Sequence, residues 1–257
     1  MYSLYVVTPT NPRPPRLADL TRLSQTLRQV SSLYWVLVDD AEKPSVQVQQ
    51  LLRHSKIEHT YLTYQKEFTD LNCPEGFRDP KGQLRRLAIQ WIVEHAHNGS
   101  VMFVLEDSVV DLQLFEEVKL TKGISVWPVG LTSPIGISTP IISKGYVTGF
   151  HPPSSLSSNN IPADMMGYAV SVQLLRQHPQ TTFHCSDESP EEQFLQRLGA
   201  RFDNIELKAQ NCTEIYVWRT RTKKLKWPEK VNMLKEGNHQ FTNLPTLYLN
   251  VLENNRP

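Results

Sequence analysis

A change of hydrophobic period between residues 3 and 40 constrains this chain more than anything else in it. Ser3 to Thr8 (SLYVVT) is a short apolar run rich in β-branched and aromatic residues. It stops at Thr-Pro-Thr, as a buried strand closing in a turn would. Leu17, Leu20, Leu23, Leu27 and Val30 then recur at spacings of three and four, the apolar stripe of a helix. Leu33 to Val38 (LYWVLV) is a second continuous apolar run, closed by Asp39-Asp40. Strand, helix and strand in that order predict a β-α-β unit. Apolar runs without alternation predict a parallel sheet covered on both faces.

The pattern continues. Val46 to Arg53 reads as a short helix and His59 to Tyr64 as a strand. Residues 65–82 hold Asn72, Pro74, Gly76, Pro80 and Gly82, which predicts a loop. Leu84, Leu87, Ala88, Trp91, Ile92 and His95 form another helical stripe, and Val101 to Leu105 a third strand ending in Glu106-Asp107-Ser108. Leu112 to Leu120 reads as a helix. Beyond Gly123 the texture is more β-like, with strands expected at Ile124–Val129, Tyr146–Phe150, Tyr168–Val172 and Glu214–Trp218. Helices are expected at Val172–His178 and Glu191–Leu198. The Ser/Pro/Asn-rich run 152–162 is the best loop or lid candidate.

Charge and motif absences narrow the function. Among 257 residues, 27 Lys and Arg balance 26 Asp and Glu, a net charge of +1. That argues against a general nucleic-acid or membrane-surface binder. No apolar run reaches the roughly 18–20 residues of a membrane span. No signal peptide is expected, because strand-like sequence begins at once. Three cysteines, Cys73, Cys185 and Cys212, leave an odd thiol and predict no disulfide framework. There is no G-x-G-x-x-G, Walker loop, C-x-x-C or H-E-x-x-H, so dinucleotide and P-loop chemistry are unsupported. His95 and His97 fall on different faces of a helix, which argues against a shared metal. The acidic pairs Asp39-Asp40 and Glu106-Asp107 close two strands, where ligands of open α/β sheets sit. A carboxylate there can hold a hard cation that neutralises a phosphate, or in the case of Asp40 bond a base or ribose. The plain alternative is that acidic residues begin surface loops.

Longer motifs stand in order: LYVVTPT (4–10), LADLTRLSQTL (17–27), VDDAEKP (38–44), LFEEV (114–118), ISVWPVGL (124–131), GFH (149–151), DMMGYAV (164–170) and NCTEIYVWRTRT (211–222). Over residues 2 to 224 the chain resembles the β-1,3-glucuronosyltransferases, inverting enzymes of proteoglycan-linker synthesis. The resemblance implies one α/β catalytic domain of the GT-A glycosyltransferase fold, with a Rossmann-like, mostly parallel sheet and a smaller β-rich half. Residues 1–120 would bind the UDP-sugar, 121–225 the acceptor, and 226–257 remain an unassigned tail. It further implies UDP-glucuronate as donor, Mn²⁺ as metal, a galactose-terminated glycan as acceptor, a homodimer, and a Golgi-lumenal, type II anchored protein whose anchor lies outside this chain. The sequons Asn98-Gly-Ser and Asn211-Cys-Thr suit a lumenal location.

Residue by residue, the resemblance makes Asp107 the metal ligand, with Glu106 the second carboxylate of the acidic motif and Leu105 a departure from it. Asp40 falls on the uracil-binding aspartate. Thr8, Pro9 and Thr10 match the donor-site turn, followed by Asn11 instead of an aromatic residue. Arg85 matches a phosphate- or sugar-binding arginine, Arg219 stands where the family has a diphosphate-contacting histidine, and Arg221 matches. Asp164 matches an acceptor-binding aspartate, whereas Ser138 and Asn159 replace an acidic residue and an arginine. Glu191 is the expected base, three residues before Phe194-Leu195; Glu192 is expected to turn toward solvent. A catalytically silent relative, or a transferase with another UDP-sugar, stays open beside this reading.

Overall fold

In the computed structural model, residues 2–64, 80–132, 136–154, 156–157 and 160–222 are described. β1 (Leu4–Thr10) is buried at every position and is followed by α1 (Arg16–Leu27), β2 (Leu33–Asp39), α2 (Val46–Ser55), β3 (His59–Thr63), α3 (Pro80–His95) and β4 (Ser100–Phe103). These strands pair in parallel in the order β4-β1-β2-β3, so the predicted β-α-β units are present. β5 (Val109–Val110), α4 (Leu112–Val118), β6 (Ile124–Val126), β7 (Val129–Gly130), β8 (Ile137–Ser143), β9 (Tyr146–His151), β10 (Tyr168–Ser171), α5 (Val172–Gln177), α6 (Pro190–Arg197), β11 (Ile205–Leu207) and β12 (Val217–Trp218) follow. β10 runs antiparallel between β4 and β6 and completes a seven-stranded sheet, β11-β6-β10-β4-β1-β2-β3. A second sheet, β5-β12-β7-β8-β9, flanks it.

Several expectations are corrected. Thr8-Pro9-Thr10 is strand, not turn: β1 stays paired with β2 as far as Thr10, while β4 pairs only as far as Val7. The amide that Pro9 lacks therefore meets no ladder partner on the β4 side. α3 begins at Pro80 rather than after Gly82, because proline is tolerated in a helix's first turn; the rest of the expected loop, from residue 65, lies outside the described residues, as does the tail 226–257. The run expected as one strand at 124–129 is split by Trp127-Pro128 into β6 and β7. Pro140 hid β8 from the sequence, yet pairing with β7 involves only Ile137 and Ser138, before the proline. The strand expected from Glu214 shrinks to Val217–Trp218. The cysteine reading is also corrected: Cys185 is disulfide-bonded and Cys212 is free.

Candidate active site

The first acid of each strand-end pair is spent inside the protein. Asp39 is buried and accepts two bonds from the Arg16 guanidinium, at 3.1 and 3.0 Å, and one from the Tyr61 hydroxyl at 2.5 Å. Burial raises its carboxyl, with Arg16 and Tyr61 opposing. Glu106 is buried too, accepting from the Thr10 hydroxyl and, at 2.6 Å, from Arg13 Nε. Its carboxyl is pushed up to about 7 by burial, against the pull of Arg13 and Thr10. Thr8 is likewise turned inward, its hydroxyl accepting from Trp35 Nε1 at 3.0 Å. Thr8, Pro9, Thr10 and Glu106 thus form the frame beneath the expected donor site. Asp40 and Asp107, the second acids, are half-exposed.

The segment after β12 folds back over Asp107. Thr222 donates its amide to Asp107 Oδ2 at 3.1 Å and its hydroxyl to Asp19 at 2.8 Å, while the Thr220 hydroxyl bonds the Asp107 carbonyl. Asp19 also receives Arg13 at 2.7 Å and Arg22 at 3.1 Å. Arg221 is exposed, with a left-handed φ of 50°. No cluster of three His, Cys, Asp or Glu able to hold a metal occurs among the described residues. With Glu106 spent, Asp107 is the carboxylate left at the end of β4. One carboxylate plus phosphate oxygens from a substrate is an all-oxygen donor set, which suits a hard divalent cation.

Four residues separated in sequence meet in a cleft of about 390 Å³: Arg85 from α3, Asp164 before β10, Glu191 from α6 and Arg219 after β12, with Leu105 and Ala163 beside them. Arg85 bonds Glu191 and lies 4.5 Å above the Phe183 ring. Arg219 donates to Asp164 Oδ2 at 2.9 Å, and that oxygen also receives the Thr132 hydroxyl at 3.2 Å. The expected diphosphate arginine and acceptor aspartate are therefore partners of one another. Pro190 opens α6 and Phe194 and Leu195 fill the core below it, which aims Glu191 at the cleft with 21% of its side chain exposed.

Glu192 corrects the expectation that it faces solvent. It is 3% exposed, and its Oε1 receives the Ser154 hydroxyl and, at 2.7 Å, Asn160 Nδ2. Among the altered acceptor positions, Ser138 is buried in β8, and Asn159 lies outside the described residues, as does Cys73. Asn98 and Asn211 are exposed. Asn211 sits in a left-handed turn in which Ala209, Gln210, Asn211 and Cys212 have φ of 54°, 55°, 57° and 61°. Burial pushes the Cys212 thiol up to about 12. Sequence reasoning missed Arg13, Arg16, Asp19, Tyr61 and Thr222. Arg13 in the proline-rich run and Arg16 at the start of α1 were the only local signal; Asp19 and Thr222 carry none.

A model of glycosyltransferase family 43 matches residues 23–223. Galactosylgalactosylxylosylprotein 3-beta-glucuronosyltransferase S of Drosophila melanogaster is 36% identical over 229 residues, covering 87% of this chain and 54% of that one. Galactosylgalactosylxylosylprotein 3-beta-glucuronosyltransferase 3 of Homo sapiens is 35% identical over 253 residues, covering 91% and 75%. The chain thus spans about half the length of the Drosophila relatives it matches. Among solved structures, S. aureus TarS 1–349 superposes with a TM-score of 0.53 at 14% identity, covering 85% of this chain and 60% of that one. That likeness concerns the fold alone, and the fold is of the GT-A type. A family model that takes in most of the chain, and relatives identical at about a third of positions, lead to one conclusion: the chain belongs to glycosyltransferase family 43.

Proposed function

We propose that the chain is the catalytic part of an inverting glucuronosyltransferase, which moves glucuronate from UDP-glucuronate to the 3-hydroxyl of a terminal galactose on a glycan. The observation that carries this reading is the cleft in which Glu191 meets Arg85, Asp164 and Arg219. Residues 1–120 would supply most of the donor side and 121–225 the acceptor side. Asp40 would bond the uracil. Asp107, with diphosphate oxygens, would hold Mn²⁺, which supplies charge neutralisation for the departing UDP. Arg219 and Arg221 would face the diphosphate, each fork able to take two oxygens.

Glu191 takes the proton of the acceptor hydroxyl as its oxygen attacks C1 of the sugar, the C1–O bond to UDP breaks, and UDP leaves with the bonding pair. The proton ends on Glu191. Arg85 holds Glu191 until a donor anion competes for its guanidinium, and that exchange frees the base in the presence of donor. Asp164 orients the acceptor. The same reading includes a Golgi-lumenal, type II anchored protein, homodimeric, with glycans at Asn98 and Asn211.

A second reading is favoured by the two ion pairs themselves: with Arg85 on Glu191 and Arg219 on Asp164, the cleft could bind a UDP-sugar or glycan without turnover. UDP release from a panel of UDP-sugars, with Mn²⁺ and with or without galactose-terminated acceptors, decides between them. Acceptor-dependent release from UDP-glucuronate is the expected result. UDP binding without release on any pair would leave the silent relative; release only from another UDP-sugar would change the donor.

A further inference from the structure

The two neighbouring glutamates at the start of α6 meet different partners. Glu191 faces the cleft, whereas the Glu192 carboxylate is buried and meets two neutral donors of the Ser/Asn-rich loop, the Ser154 hydroxyl and Asn160 Nδ2. Ser154 Oγ in turn receives the amides of Leu156 and Ser157, each at 3.0 Å. From Asn160 the chain runs through Ile161, buried in the core, directly into Ala163, Asp164 and Met165, which line the cleft. A single helical turn thus fixes both Glu191 and the start of the wall opposite it. Among the described residues the Glu192 carboxylate has only neutral donors, a costly arrangement to keep, and the contact it secures adjoins the segment that runs into the Asp164 wall.

We propose that Glu192 is a positioning residue for the acceptor: it ties Ser154 and Asn160 to α6 and so sets the distance between Glu191 and the Asp164 wall. The sugar bound there would be the galactose-terminated glycan of the function proposed above, on which this inference rests. Asp40 and Asp107, the uracil and cation residues of that function, follow β2 and β4 and share no hydrogen bond with Glu192 among the described residues, so UDP binding should depend on Glu192 far less than acceptor binding does.

The test is calorimetry on the whole chain, titrating UDP with Mn²⁺ and then a galactose-terminated disaccharide into the UDP complex. Removing both loop bonds in Glu192→Ala should weaken the disaccharide by about tenfold or more and leave UDP within about twofold. Glu192→Gln keeps an acceptor oxygen at the same place, so it should restore disaccharide binding to within about threefold of wild type. Hydrogen exchange at Leu156 and Ser157 should quicken in the Ala variant and not in the Gln variant. If Glu192→Ala does not fold, Asn160→Ala removes one of the two bonds from the loop side, and a rise of about threefold in the disaccharide Kd is expected. An unchanged disaccharide Kd overturns the proposal, and so does an equal loss for UDP and disaccharide, which would mean Glu192 only maintains the fold. If wild type binds UDP but no galactose-terminated sugar, the acceptor reading itself has failed and the proposal goes with it.

Discussion

At the end of β2, Asp39 is fully buried against Arg16 and Tyr61 while Asp40 is half-exposed; at the end of β4, Glu106 is buried against Thr10 and Arg13 while Asp107 is half-exposed. β1 lies between these two strands. The two arginines that reach the buried acids flank the short link between β1 and α1, Arg13 bonding Glu106 and Arg16 bonding Asp39. They differ in depth: the Arg16 side chain is 2% exposed and the Arg13 side chain 21%. The β2 end is therefore a closed strut. The β4 end keeps a wet edge beside Asp107, where the segment carrying Thr222 also docks. α6 repeats the division, with Glu192 inward and Glu191 outward. In each acidic pair one carboxylate is buried as part of the frame, and its neighbour lies nearer the surface: Glu191 is bonded by Arg85, Asp107 by the Thr222 amide, and Asp40 is half-exposed.

The comparison breaks if inner and outer acids have like phenotypes. The largest effect is expected at Glu191. Glu191→Gln should lower turnover by roughly 10²–10⁴-fold, the usual range for a lost general base, with UDP affinity within a few-fold of wild type. Initial rates and calorimetry check this, and near-normal rates would place the base elsewhere. Next comes Asp39→Ala, which leaves Arg16 buried without its carboxylate. It should cost about 3–5 kcal/mol in urea unfolding, against less than about 0.5 kcal/mol for Asp40→Ala on an exposed edge. Equal losses would mean that Asp40 is a strut as well.

Asp107→Ala should leave the melting temperature near wild type but remove the Mn²⁺ dependence of UDP binding, read by titrating UDP with and without the cation. Undiminished Mn²⁺-dependent binding would show that the cation is held elsewhere. The smallest effect is expected at Tyr168, whose ring packs near Phe103 and Phe194. Its buried hydroxyl has no hydrogen-bond partner among the described residues, and burial, with Glu191 nearby, raises its pKa well above the ordinary value. Tyr168→Phe should be stabilising by about 1 kcal/mol, since it removes an unsatisfied buried group. A loss of stability would mean that the hydroxyl is a strut like Asp39.

Much of this architecture was legible in the amino-acid order. The apolar runs at 3–8, 33–38 and 101–105, the last of which ends as a strand at Phe103, and the stripe from Leu17 to Leu27 are local patterns, and local periodicity decides element type. The acidic pairs were legible as strand ends for the same reason. The antiparallel insertion of β10 was not, because a strand's neighbours in a sheet are fixed by long-range pairing rather than by its own pattern.

What the sequence by itself determined is the alternation of strand and helix from β1 to β4, and that acidic residues stand at two strand ends and at the start of α6. Only the tertiary structure decided which acid of each pair turns inward. Asp39 is held by Arg16 over 23 residues, Glu106 by Arg13 over 93, and Glu192 by Ser154 over 38, while Arg85 reaches Glu191 over 106. Neighbouring carboxylates have the same local chemistry. Their roles separate only when a distant cation or hydroxyl arrives to satisfy one of them, since a buried charge without a partner costs several kcal/mol.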